Sequence, residues 1–198
     1  GASFPTPAFA AAARLPLQRW GGNSTSRYDY RTDDYNTAND WYFENLRWEG
    51  GQASTGGASA LDSFVATAAS AGARAAVTVP VIGWVAKDNR VSCGFPTSSF
   101  PSQDSTDYWW PACGNGQSGG SALTPLAPTL TSKAFTTSDM TAMAAHLRAS
   151  APAGTSPMVY QLDNEPSLWN STHRDVQPTA PTGAALFAKS TAAADRRG

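Results

Sequence analysis

The sequence predicts an α/β fold of parallel strands joined by crossover helices, and three observations carry that reading. Short apolar runs alternate with amphipathic stretches along the 198 residues, giving strand, loop, helix, strand, long loop, helix, strand, loop, helix. Every large polar or aromatic loop follows a strand, while the joints from helix back to strand are short. No Gly-x-Gly-x-x-Gly turn follows any strand, which argues against a nucleotide site. An open doubly wound sheet would share the alternation. The one-sided elaboration is what a (β/α)8 barrel shows, with its active face at the carboxyl ends of the strands.

Residues 1–14 are Ala-rich with two prolines and read as an arm or a poor helix. The first strand is the run Leu15-Pro16-Leu17-Gln18-Arg19-Trp20, which breaks into Gly21-Gly22-Asn23. Residues 31–45 are too polar and too aromatic for a linker and read as a functional loop. Residues 59–71 place Leu61, Phe64, Val65 and Ala68 at helical spacing, with Gly72 as the stop. Residues 74–81 form the next buried strand. Residues 82–133 are a long loop insertion rich in Gly, Ser, Pro and aromatics. A helix resumes over 136–150, capped by Thr137 or Ser138, with Met140, Met143, Ala144 and Leu147 as its stripe. A buried strand from Met158 comes next, and residues 183–194 are a last amphipathic helix.

Composition narrows the partners. The formal charge is −1 and only 15% of residues are charged, so neither nucleic acid nor an anionic membrane surface is favoured. No apolar stretch reaches the roughly 20 residues that span a bilayer, and the first residues do not read as a signal peptide. Seven Trp, six Tyr and eight Phe are a heavy aromatic load. Most should fill the core, but several sit in polar, Gly-rich company, where an exposed ring is a platform for a sugar face. Cys93 and Cys113 lie in one loop-like region. A disulfide stapling it in an oxidising compartment and two buried thiols both fit the sequence.

Two strand ends carry chemistry-bearing residues. The first is Arg19 with the paired glycines behind it, and a buried arginine there calls for a carboxylate partner. The second is Asp163-Asn164-Glu165-Pro166, where the proline ends the ladder. A plain turn with Asp163 and Asn164 as turn formers would give the same string, and Asn-Glu-Pro alone is a weak motif. His146 reads as a surface or partly buried helix residue. Two histidines and two cysteines so placed give no zinc spacing.

Four segments together resemble glycoside hydrolase family 44: Arg19-Trp20-Gly21-Gly22-Asn23, Asp40-Trp41-Tyr42-Phe43-Glu44-Asn45, residues 80–88, and residues 160–169. The resemblance runs through most of the chain from Arg19 onward. It implies a partial (β/α)8 TIM barrel, about strands two to four with their helices and long βα loops, so that residues 1–198 are a fragment of a catalytic domain. It implies secretion and an endo-acting hydrolase that cleaves β-1,4-glucan, cellulose or xyloglucan, with retention. Glu165 matches the general acid/base, and Asn164 matches the residue that holds the sugar 2-hydroxyl. Asn23 and Trp41 match cleft-lining positions, Arg19 and His173 stand as neighbours of the catalytic carboxylates, and Trp84 and Trp169 complete the substrate-binding candidates. No cofactor is required. A structural calcium ion is compatible with the family, with Asp104, Asp107 and Asn115 as oxygen donors.

Retaining glycosidases place two carboxyl groups about 5–5.5 Å apart. The family's nucleophile lies near the end of the seventh strand, and none of Asp29, Glu44, Glu49 and Asp163 suits that role. The chain alone is therefore expected to be inactive, and its open sheet to be aggregation-prone. Another glutamate-pair glycosidase, a mannanase or xylanase, and a non-catalytic glycan-binding fragment are the other readings.

Overall fold

The computed structural model describes residues 2–3, 5–89 and 91–194. In chain order they form β1 (Ala2–Ser3), α1 (Pro7–Ala12), β2 (Leu17–Trp20), β3 (Asp34–Asn36), β4 (Asn45–Arg47), α2 (Ala60–Ser70) and β5 (Arg74–Val79). Beyond these lie β6 (Trp84–Ala86), β7 (Gln117–Ser118), β8 (Ser121–Ala122), β9 (Ser132–Ala134), α3 (Thr137–Ser150), β10 (Val159–Leu162), α4 (Trp169–Thr172) and α5 (Gly183–Ala194).

The central sheet is parallel throughout, with the order β1-β2-β5-β10. Four strands stand where three are expected from the sequence. The supposed arm supplies the extra one: Ala2 and Ser3 pair with Gln18 and Arg19. α1 comes next, its start set by Pro7 in the first turn and by Thr6, whose side chain accepts from the Phe9 amide. A two-residue strand is too short to leave a periodic signal, and so it escapes a reading by pattern.

β5 lies inside the sheet and is buried from Ala75 to Val79, as a strand covered on both faces must be. β10 is an edge strand. The expected buried strand is exposed at Val159 and half-buried over the rest of its length, because no further described strand pairs its outer edge. Trp20, at the end of β2, packs against Tyr28, Trp48 and Phe64 with ring centroids 5.1, 4.4 and 5.6 Å away.

The helices follow their patterns with local adjustments. α2 begins at a capping box of Ser59 and Asp62 and buries Leu61, Val65 and Ala68. Gly72 lies just beyond it with φ 68°, the left-handed backbone that glycine adopts without strain. For α3 the cap is Thr136, one residue earlier than expected, because Asp139 completes the reciprocal pair. α5 fully buries none of its described side chains, and Phe187 on it is exposed.

The described residues of the long insertion carry strands of their own. β6 and β9 zip its base in an antiparallel ladder from Trp84↔Ala134 to Ala86↔Ser132, and β7 and β8 form a small hairpin within it. Cys93 and Cys113 are joined by a disulfide with Cα atoms 5.7 Å apart, which closes the choice that the sequence left open.

Candidate active site

The end of β10 is held by a buried carboxylate. Asp163 continues the ladder by donating its N–H to Val79 O at 3.0 Å. Its Oδ2 accepts from the Val81 and Ile82 amides at 2.7 and 2.8 Å, and its Oδ1 from the Asn164 amide at 2.8 Å. Burial pushes this carboxyl up to about 6, against the pull of those backbone donors. Asp163 is thus spent on tying the segment that follows β5 to the end of β10.

Asn164 sits between two non-glycine residues in left-handed backbone, Asp163 at φ 64° and Glu165 at φ 43°. Such conformations cost about 1–3 kcal/mol each and persist where the surroundings enforce them. The reversal turns the Glu165 carboxyl outward, where it is exposed, and Pro166 then opens a short 3-10 turn.

Arg19 reaches this turn from β2. Its Nε donates to Gln161 Oε1 at 3.0 Å and its Nη2 to Asn164 Oδ1 at 2.5 Å. The expected carboxylate partner is replaced by two amide oxygens, which suffice because Arg19 is half-buried and keeps access to solvent. Gly21 makes room for it: a Cβ there would lie 2.3 Å from the guanidinium carbon.

The Asn164 amide nitrogen donates to Asn23 Oδ1 at 3.1 Å and to Glu165 Oε2 at 3.3 Å. Asn23 in turn donates to both oxygens of Asp40, at 3.0 and 3.1 Å. A cation at one end and a carboxylate at the other therefore orient both amides. Arg19, Asn23, Asn164 and Glu165 are expected together from the sequence and are together. Gln161 and Asp40 are members that the sequence reading misses. Gln161 lies inside an apolar run, and nothing local marks it as a partner of Arg19.

Of the remaining candidates, Trp41 borders this series and the others pack inward. Trp41 is 40% exposed and lines a cleft of about 580 Å³ with Asp40, Tyr42, Asn115 and Arg174. Trp84, on β6, is half-buried against the core. Trp169 is fully buried, with the Lys189 ammonium 6.0 Å from its ring. His173 is also fully buried, and neither ring nitrogen has a hydrogen-bond partner among the described residues. Burial, with the Arg27 charge beside it, drives the imidazole down to about 3, so it stays neutral. Arg27 itself is buried and paired with Asp175 at 2.7 Å.

The other carboxylates lie outside this series. Asp29 binds Arg31 and Lys133 at 2.8 and 2.6 Å, and Glu49 borders a separate hollow beside Trp48 and Phe64. His146 bridges helices by binding Asp62 at 2.9 Å. Among the calcium candidates, Asp104 is spent on the Gly119 and Gly120 amides and Asn115 on Gln117. Asp107 instead lies beside Glu44, and both are buried. Burial first, then the Asp107 charge, pushes Glu44 up to about 8, and its Oε1 has no partner among the described residues. No group of three or more His, Cys, Asp or Glu is placed to hold a metal ion among the described residues. No described helix is long and apolar enough to cross a membrane.

Comparison with known proteins gives a consistent picture. The sequence model of Glycoside hydrolase family 44 matches residues 34–196. CelM2, a bifunctional glucanase-xylanase from a metagenome library, is 33% identical with a TM-score of 0.88, covering 98% of this chain and 38% of its own. Cel44A, an endoglucanase of Clostridium thermocellum, is 20% identical with a TM-score of 0.63, covering 91% and 35%, a likeness of fold. Beta-mannanase/endoglucanase A of Caldicellulosiruptor saccharolyticus is 27% identical over 179 residues, 87% of this chain and 13% of that protein. The chain thus spans well under half the length of these relatives.

Proposed function

This chain belongs to glycoside hydrolase family 44, and from that membership we propose that it carries the acid/base half of the active site of a longer, retaining endo-β-1,4-glucanase. In this reading the parallel sheet is the first part of a (β/α)8 barrel. The unpaired outer edge of β10 among the described residues and the lightly packed α5 support it.

Glu165 is the proton donor. Its carboxyl proton passes to the glycosidic oxygen as the bond from that oxygen to the anomeric carbon breaks, while a carboxylate outside this chain attacks that carbon. Glu165 then takes a proton from the water that releases the glycosyl-enzyme ester. The Asn164 amide, fixed by Arg19 and Asn23, meets the sugar 2-hydroxyl. The observation that carries the proposal is an exposed carboxyl at a strand end, beside an amide whose orientation is set from both sides.

The relatives' names, glucanase-xylanase and mannanase/endoglucanase, support a β-1,4-linked backbone as substrate class. The disulfide supports secretion into an oxidising compartment. A structural calcium ion fits the pair Glu44 and Asp107 better than the set Asp104, Asp107 and Asn115, because two adjacent buried carboxyl groups need a shared proton or a cation. Backbone carbonyls and water would complete its shell.

Hydrolysis of carboxymethylcellulose and xyloglucan by this chain and by a longer protein containing it, each beside Glu165→Gln, tests the reading. Activity confined to the longer protein and abolished by the substitution is the expected result. Glycan binding without turnover by the longer protein would favour a non-catalytic role.

A further inference from the structure

Three consecutive aromatics crown the disulfide-stapled loop. Tyr108, Trp109 and Trp110 are 85%, 72% and 45% exposed, a rare display for such large apolar surfaces. They are held rather than loose. The Trp109 amide donates to Asp107 Oδ1 at 3.2 Å, the Cys113 amide to Trp110 O at 2.9 Å, and the Asp107 amide to Cys113 O at 2.9 Å. The Cys93–Cys113 bridge closes the segment that carries them.

Trp109 lies against Trp41, with ring centroids 5.5 Å apart and planes tilted by 34°. Trp41 lines the cleft that also holds Asp40, the last member of the hydrogen-bonded series running from Arg19. Arg174 lines the same cleft, held over Phe43 and Phe95 at 4.9 and 4.4 Å. Flat aromatic faces beside amide, carboxylate and guanidinium groups suit a ligand with apolar ring faces and equatorial hydroxyls. A protein partner would instead select a wider apolar centre.

We propose that Trp109, with Trp41 behind it, forms an outer glycan-binding platform that holds a β-1,4-linked chain extending along the cleft away from Glu165. The substrate class rests on the glycosidase reading above. The platform is pre-organised, so sugar stacking orders no loop and its affinity is not spent on closure.

Isothermal titration of cellohexaose into the longer protein carrying Glu165→Gln tests this without turnover. Trp109→Ala lowers the affinity roughly 3- to 10-fold with an unchanged melting temperature, while Leu130→Ala, which trims an exposed apolar side chain outside the cleft, leaves affinity unaltered. Equal affinity in the Trp109→Ala protein overturns the platform, as does an equal loss in both variants or no binding at all. The glycosidase reading is judged separately, by hydrolysis with Glu165 intact, so either can fail alone.

Discussion

Arg19 on β2 donates through Nη2 to the side-chain oxygen of Asn164, 145 residues further along the chain. That contact decides which way the Asn164 amide faces. With its oxygen held by a cation, only its nitrogen is left to meet Glu165 and Asn23.

Arg19→Ala should therefore free Asn164 to rotate. In the longer protein kcat is expected to fall about 10- to 100-fold with a melting temperature within a few degrees of the parent, since Arg19 is half-buried and accessible. Steady-state kinetics on xyloglucan read the loss, and an unchanged kcat would separate Arg19 from catalysis.

His173 gives the stability an acid limit. Its folded value of about 3 lies below the ordinary 6.5 because of burial and Arg27. The unfolded chain takes up a proton that the folded chain refuses. Its contribution is complete above pH 6.5 and declines as pH falls from there toward 3, by up to about 1.4 kcal/mol per pH unit. Melting curves between pH 7 and 4.5 should slope less steeply for His173→Gln than for the parent.

The Cys93–Cys113 bridge closes a segment with a sequence separation of 20. By the chain-entropy account its reduction removes about 3 kcal/mol, and the loop that carries Trp109 loses its fixed shape. Thermal denaturation with and without a thiol reductant measures the first effect, and cellohexaose affinity the second.

Calcium should raise the melting temperature of the parent by several degrees at millimolar concentration, and chelation should reverse the gain. Glu44→Gln removes one of the two buried carboxylates and with it the response. An identical calcium response in that variant would place the ion elsewhere.

Much of the site is legible because strand ends announce themselves. An apolar run such as Val159–Leu162, halted by a nearby proline, delivers the next side chains to the rim of the sheet. Arg19, Asn164 and Glu165 stand out in the sequence on that ground, and Asn23 only through the family resemblance. Sequence adjacency does not say which way a side chain turns. Trp169 and His173 come soon after Glu165, yet both side chains, one opening α4 and one just beyond it, are fully buried. Asp40 and Gln161 join through contacts across 17 and 142 residues, which no local pattern encodes. β1 stays hidden because two residues carry no period.

The most direct test is the leaving-group dependence of Glu165→Ala in the longer protein. If Glu165 is the acid/base, this variant hydrolyses xyloglucan at least 100-fold more slowly, on the scale of general-acid catalysis, but still cleaves an aryl β-cellobioside whose leaving phenol needs no proton. Added azide then speeds turnover and yields the β-glycosyl azide. Equal losses on both substrates, with no azide rescue, would contradict the assignment.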